Sequence, residues 1–297
     1  VEDPSLPNML VSQSDSTRWG RGVAIDEDWY GHTFQAFSPT SDYNLSVAGG
    51  KENVRYYFSG GYLDQDGLLN FGADYYKKLS FLGKFSGDVT DWLTVSYRGQ
   101  YTRSDIENAT NVKSFNNPFG IGMESVAMYQ APLVPLLDPN GHHTHWDIAK
   151  IANNAYGNNT LKNKFVNSFI TELMPFKGFN VTGKITYDYT TDEELAFTNR
   201  YPEYNVMDEI YTYAGSSTIS RKNNNYKFLN VDIYGTYQNT IGDHDFTLLA
   251  GFQQQYWKRT YMRLKGNERI SDNIYSVSTA IGDNFNYTDL DQEWANR

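Results

Sequence analysis

Cysteine is absent from this 297-residue chain. Neither a disulfide framework nor a thiolate metal site is therefore available to it. No run approaches the roughly 18 consecutive apolar residues that a membrane-spanning helix needs. That excludes helical spans and leaves strand-built spans open. Positive charge is in deficit, with Lys+Arg 25 against Asp+Glu 35 and a net charge of -10. Nucleic-acid binding, which needs a basic stripe, is set aside. His-Glu-x-x-His and Gly-x-Ser-x-Gly are both missing, so two common hydrolase chemistries have no support. Gly120-Ile121-Gly122 lacks the third glycine of a dinucleotide fingerprint, and no strand precedes it. Asp64-Gln65-Asp66-Gly67 opens like a calcium loop but lacks the bidentate Glu, and it reads as a hairpin turn. No catalytic residue and no cofactor is expected, and the chain is not read as an enzyme. It opens Val1-Glu2-Asp3-Pro4, with neither a basic n-region nor an apolar h-region. The expectation is a mature form or a piece of something longer.

What the chain has in quantity is aromatic residues: Tyr 24, Phe 17 and Trp 6. It also has alternation. Tyr43, Leu45 and Val47 share one face, with Asn44, Ser46 and Ala48 on the other. Val54, Tyr56, Phe58, Gly60 and Tyr62 return on the apolar face after a turn at 49–53. Leu79, Phe81, Gly83 and Phe85 follow, then Leu93, Val95, Tyr97, Gly99 and Tyr101 against Thr94, Ser96, Arg98, Gln100 and Thr102. Further alternating stretches begin at Phe165, Phe179, Leu229 and Phe246. Period two marks half-buried strands, and the count is roughly eight.

The connectors alternate short and long. Short turns lie at 49–53, 87–91, 175–178 and 242–245, and long excursions at about 104–163 and 191–225. Sandwich loops do not sort by length onto one end. Membrane barrels do, with short turns at one rim and long loops at the other. The reading is therefore all-β: an antiparallel meander of about eight transmembrane strands. Its apolar face meets lipid and its polar face meets an enclosed lumen. Residues 1–42 read as an irregular lead-in with a short helix near Asp26–Phe34, 43–265 as the barrel segment, and 266–297 as the start of a further extracellular loop. Glycine recurs between large apolar residues, as in Phe58/Gly60/Tyr62 and Phe81/Gly83/Phe85, and a neighbouring ring is expected to cover each gap. Trp92, Phe176, Phe179 and Phe246 beside the short turns suit an inner aromatic girdle. Tyr62, Tyr101, Tyr187, Tyr189 and Tyr256 suit an outer one.

Asp42-Tyr43-Asn44-Leu45-Ser46-Val47-Ala48-Gly49-Gly50 and Tyr56-Tyr57-Phe58-Ser59-Gly60-Gly61-Tyr62-Leu63-Asp64-Gln65-Asp66-Gly67 together resemble the early barrel of SusC/RagA-like TonB-dependent outer-membrane transporters. Asp28-Trp29-Tyr30, Val89-Thr90-Asp91-Trp92-Leu93 and Ala131-Pro132-Leu133 through Asn140-Gly141 are similar to family segments too. The likeness runs over most of 26–265. It implies a 22-stranded barrel in the outer membrane of a Gram-negative bacterium, in contact with outer-membrane lipid. It also implies an N-terminal plug, a SusD-like surface lipoprotein as lid, and energy relayed by TonB-ExbB-ExbD through the plug region. The cargo implied is a nutrient, glycan or peptide. No TonB box or plug is seen here. The chain ends Glu293-Trp294-Ala295-Asn296-Arg297 rather than on a strand with a terminal aromatic, so the expectation is a fragment.

Candidate site residues follow. The loop aromatics Trp146, Tyr156, Tyr201, Tyr204, Tyr211 and Tyr213 are candidates to stack on sugar rings or fill peptide pockets, with packing on one another as the alternative. Arg98, Lys184, Asp188 and Asp232 are expected on the lumen face, against cargo or plug. His142, His143 and His145 form the only metal-like cluster. No carboxylate or further histidine stands at helical spacing from them, and an exposed loop is the preferred reading. Two other functions stay open: a passive porin or surface ligand-binding barrel, and an outer-membrane hydrolase.

Overall fold

Alternation of this kind can be satisfied only by hydrogen-bonded neighbours, because each strand leaves its backbone groups open on both sides. The computed structural model, which describes residues 9–22, 26–107, 132–144 and 156–296, supplies them in one nine-stranded antiparallel meander. A small hairpin, β1 (Met9–Val11) and β2 (Trp19–Gly22), and a short helix α1 (Trp29–Thr33) come first. The sheet runs β3 (Thr40–Lys51), β4 (Val54–Asp66), β5 (Tyr75–Thr90), β6 (Leu93–Glu107), β7 (Tyr156–Phe176) and β8 (Phe179–Thr198). It then passes over the separate hairpin β9 (Tyr201–Tyr204) and β10 (Ile210–Ala214). It resumes with β11 (Thr218–Ile241), β12 (His244–Asn267) and β13 (Asn286–Asn296). Each strand of the sheet pairs with the next in sequence, and β3 and β13 are its two edges.

The connectors sort as the sequence implied. Residues 52–53, 91–92, 177–178 and 242–243 are two-residue turns at one end. Residues 67–74, 108–155, 199–217 and 268–285 connect at the other. Gly178 and Gly242 sit in two of the tight turns at φ +84° and +64°, a region glycine enters without steric cost. A side chain at Gly178 is further blocked by the Gln238 carbonyl, which stands where its Cβ would lie.

The register keeps one face apolar from strand to strand. Val47 faces Phe58, Phe58 faces Gly83, Phe81 faces Tyr101, and Tyr97 faces Phe169. Phe169 then faces Ile185, Ile185 faces Val231, and Ile233 faces Phe252. No second layer covers that face: Leu45 is 81% exposed and Leu248 64%. Rings do close the glycine gaps. Phe81 lies over Gly60, Phe58 over Gly83 and Tyr97 over Gly99. The opposite face is polar yet more crowded, with Ser168, Thr182, Asn224 and Asn230 all buried. Burial without a covering layer is what a concave surface produces, so the sheet curls with its polar face inward, as a barrel wall does.

Aromatics gather at both levels. Near the tight turns Phe176 stacks on Phe179 at 5.0 Å, and Tyr237 touches Phe179 at 6.5 Å and Phe246 at 6.1 Å. Toward the long connectors Tyr101 packs on Phe165 at 4.5 Å. Above that level the outer face turns polar, with Lys77 paired to Asp64 at 3.4 Å and Lys258 to Asp291 at 3.0 Å. The apolar row Leu93–Tyr101 is nine residues long, close to the roughly 9–11 a tilted strand needs to cross a bilayer.

The nine strands agree with the roughly eight that alternation counted. Two expectations are corrected. The ninth strand, β13, lies in 266–297, expected as loop. The excursions expected at 104–163 and 191–225 are shorter, because β6 runs to Glu107, β7 starts at Tyr156, β8 runs to Thr198 and β11 starts at Thr218. The cause is common to both. Beyond the apolar band both faces of a strand are polar, so pairing continues while the period-two signal disappears. The lead-in also holds more order than irregular chain. α1 falls inside the expected 26–34, capped by the Asp28 carboxylate, which accepts from Gly31 N at 2.8 Å.

Candidate functional site

The hydrophobic core lies at the long-connector end, where Met9, Trp29, Leu69, Phe71, Tyr201, Ile219 and Val277 are buried. α1 anchors part of it. Trp29 Nε1 donates to the Val134 carbonyl at 3.1 Å, and Asn70 Nδ2 donates to the carbonyls of Gly31 (2.7 Å) and Phe34 (3.0 Å). This holds segment 132–144 over the sheet end, where it meets the β1–β2 and β9–β10 hairpins.

The Asp138-Pro139-Asn140-Gly141 turn orders that segment. Asp138 is buried, and its Oδ1 accepts from Asn140 N and His142 N, both at 2.9 Å. His142 then stacks flat on Tyr204, with centroids 3.6 Å apart, and its Nε2 lies 2.5 Å from Asp208 Oδ1. From the first hairpin Arg18 crosses the Tyr211 ring at 4.5 Å and pairs with Asp15 at 3.3 Å. The Tyr211 hydroxyl donates to Glu203 Oε2 at 2.6 Å. Between these groups is a polar cavity of about 160 Å³ whose lining includes Arg18, Trp19, His143, Glu203, Tyr204 and Tyr211.

Burial, then the hydrogen bond to Glu203 and its charge, push the Tyr211 hydroxyl up to about 12, against the pull of Arg18. Tyr201 is raised by burial and then by the charge of Glu203. Hydrogen bonds from Thr17 hold Asp15 below its ordinary value. For Tyr211 the folded value lies above the unfolded one. Its contribution is complete below the unfolded tyrosine value of about 10 and is lost as pH rises through about 12. The wild-type minus Tyr211→Phe difference absorbance at 295 nm is therefore expected to titrate near pH 12. A transition near 10 would show that this cluster does not form.

The structure separates the sequence candidates. Tyr204 and Tyr211 line the cavity, Tyr201 is buried at the start of β9, and Tyr213 is 59% exposed. Trp146 and His145 lie outside the described residues, as do the Tyr156 side chain and the Gly120–Gly122 stretch. His142 is committed to Tyr204 and Asp208, and His143 lines the cavity. Among the described residues no group of three or more His, Cys, Asp or Glu is placed to hold a metal. Arg98, Lys184, Asp188 and Asp232 all fall on the concave polar face. Asp188 pairs with Lys164 at 3.0 Å, while Asp232 accepts from Gln253 Nε2 at 2.7 Å and Asn230 Nδ2 at 2.5 Å. Lys184 stands in register with Asp232, and Arg98 with Lys84 and Ser168.

Sequence reasoning missed Arg18 and Glu203, which are brought to Tyr211 only through tertiary contacts. It also missed Arg269. This residue is 2% exposed, donates to the carbonyls of Thr198 and Ile274 at 3.2 Å, and pairs with Asp272 at 3.3 Å. Burial lowers its ordinary value, and the charge of Asp272 opposes that. It binds the 268–285 connector to the end of β8.

A curled antiparallel wall, bare and apolar outside and charged inside, with its connectors sorted by length, defines the class: a segment of an outer-membrane-type β-barrel. No family model matches the chain. It is similar to two curated proteins of Formosa agariphila. TonB-dependent receptor P26 is 24% identical over 274 residues, covering 84% of this chain and 26% of that protein. TonB-dependent receptor P39 is 27% identical over 255 residues, covering 84% and 23%. The chain thus spans about a quarter of the length of the curated relatives it matches. In fold it is similar to the RagAB peptide transporter (TM-score 0.73, 19% identity, 91% of this chain and 30% of that one). It is also similar to the RagAB peptide importer in its closed-closed state (TM-score 0.74, 18% identity, 95% and 32%). These findings agree with the likeness carried by the first hairpin: the chain is similar in sequence to TonB-dependent receptors and in fold to part of the RagAB peptide transporter.

Proposed function

We propose that this chain forms part of the wall of an outer-membrane transporter that imports a nutrient, glycan or peptide, with energy delivered by TonB-ExbB-ExbD. A SusD-like lipoprotein closes its outer mouth. The observation that carries the reading is the two-faced wall: a bare apolar band outside, a charged polar face inside, and all long connectors at one end. In this reading those connectors are extracellular, and Arg98, Lys184, Asp188 and Asp232 face the lumen against cargo or plug. Tyr204 and Tyr211 stand at the outer mouth, where a cavity with a cation, a carboxylate and aromatic faces suits a polar cargo. The names of the relatives, receptors and importers rather than enzymes, point the same way.

The test is uptake by cells carrying the full-length gene. Import of the cognate nutrient is expected to stop when TonB is deleted or the proton-motive force is collapsed. Import that persists under both conditions indicates a passive pore, and turnover of a fluorogenic substrate without import indicates a hydrolase.

A further inference from the structure

From Gln253 onward the inner face of β12 and β13 carries cations and no carboxylate. On the strands before it some inward cations are matched, Lys162 to Asp192 at 3.8 Å, Lys164 to Asp188 at 3.0 Å, and Lys222 to Glu194, while Lys84, Arg98 and Lys184 form no ion pair among the described residues. From Gln253 to Lys265 the inward row of β12 holds Arg259, Arg263 and Lys265 and no carboxylate. The acids of β13 (Asp289, Asp291 and Glu293) all fall on the outer face, two of them on Lys258. Among the described residues neither Arg259 nor Arg263 forms an ion pair. Each spends its Nε on a neutral neighbour: Arg259 on Asn224 Oδ1 at 2.9 Å, Arg263 on Ser220 Oγ at 3.2 Å. The planar ends of both guanidiniums are left without a carboxylate. Arg259 is also held between two rings, Tyr226 at 5.3 Å and Tyr261 at 5.4 Å, so its fork is fixed before any ligand arrives.

Beside this cationic row stands an aromatic platform. Trp257 and Trp294 lie in register on β12 and β13, stacked with centroids 6.3 Å apart and planes 27° apart, and Trp294 is 44% exposed. One step below, Asn230 is 9% exposed, and its Oδ1 is buried without a hydrogen-bond partner.

We propose that this strip binds an anionic oligosaccharide, a chain of sugar rings bearing carboxylate or sulfate groups. The inference rests on the reading of this face as the lumen of an importer. Indole faces carry negative charge density and attract the polarised C–H face of a pyranose ring. A guanidinium fork matches a carboxylate or sulfate with two parallel hydrogen bonds. The side-chain amides around the platform offer paired donors and acceptors to ring hydroxyls. A peptide fits less well along Arg259–Lys265, because its terminal ammonium needs a carboxylate and the inward rows of β12 from Gln253 and of β13 carry none.

The experiment uses the full-length protein in detergent, with tryptophan fluorescence reporting binding. The ligands are a galacturonate hexamer, a sulfated carrageenan-derived hexasaccharide, neutral cellohexaose and a mixed tryptic peptide digest. One or both acidic sugars are expected to bind, and whichever binds names the acidic group. Affinity is expected to fall with salt and to drop at least about tenfold in Arg259→Gln and Arg263→Gln. Cellohexaose is expected to bind more weakly and to be unaffected by either substitution. If Arg259→Gln does not fold, as judged by heat-modifiable migration, Arg259→Lys and the salt dependence of the wild type carry the test. The proposal falls if cellohexaose binds as tightly as the acidic sugars, if folded protein binds neither acidic sugar, or if peptide binding is what Trp257→Ala removes. TonB-dependent uptake of another nutrient, unchanged in the Arg259→Gln/Arg263→Gln double variant, would overturn this inference and leave the transport reading standing. Acidic-sugar binding without TonB-dependent uptake would do the reverse.

Discussion

Ile185→Arg is expected to block assembly of the full-length protein into the membrane, while Lys184→Arg, one residue away, is expected to assemble normally. Ile185 is 49% exposed on the bare apolar face, in register between Phe169 and Val231 and close to the middle of the Phe179–Tyr189 row. A cation on the lipid face at the bilayer midplane costs about 2–4 kcal/mol. Lys184 already places a cation at the same depth, but on the concave side. The pair of substitutions thus isolates the face from the depth and from the charge. Heat-modifiable migration on a gel reads the folded barrel. Equal assembly of the two variants would mean that the apolar face does not meet lipid.

Arg269→Met is expected to release the 268–285 connector from the end of β8. The guanidinium satisfies the carbonyls of Thr198, Asp272 and Ile274, donates to Ser217 and Asn199, and neutralises Asp272. Phe197 and Tyr275 flank it at 5.9 and 5.7 Å. Removing one partner of a buried pair leaves the other charge uncompensated, at a cost of about 3–5 kcal/mol. The loss is local, since β11 and β12 remain paired along their full length. Amide exchange near Ile270 and Ile281, whose N–H groups bond to Thr279 and Glu268, is expected to accelerate roughly a hundredfold or more. Arg269→Lys restores the charge without the fork and is expected to recover only part of the protection. Unchanged exchange in Arg269→Met would remove this residue as the anchor.

The rows that face lipid were legible as strands because the bilayer demands apolar residues on one side only. Leu93–Tyr101 and Phe179–Tyr187 show that alternation unbroken, and both lie within strands, β6 and β8. The upper halves of β7, β8, β11 and β12 were not legible, since Asn159, Glu193, Asn223 and Thr260 stand above the apolar band where either face can be polar. β13 is the limiting case. Asn286–Asn296 alternates only between acidic and neutral residues, and its status as a strand is set by the exposed edge of β12.

The candidate site divides in the same way. Asp138 with its Pro-Asn-Gly turn reads locally, because an Asx turn needs only four consecutive residues. The contacts of His142 with Tyr204 and Asp208, and of Arg18 with Tyr211, join segments more than 60 residues apart in sequence, so no local pattern announces them. Nor does sequence distinguish a paired inward cation such as Lys164 from an unpaired one such as Arg259. That difference depends on which residue the neighbouring strand brings alongside.

The order of apolar and polar residues by itself determined that this chain makes a two-faced antiparallel wall, with tight turns at one rim and long connectors at the other, because a period of two commits every second side chain to one solvent. Only the tertiary structure decided how far the strands extend beyond the apolar band, which charges on the concave face are matched, and which loops meet above it. Those outcomes depend on partners supplied across the sheet by distant segments, and hydrogen-bond and charge complementarity between strands has no signature within any one of them.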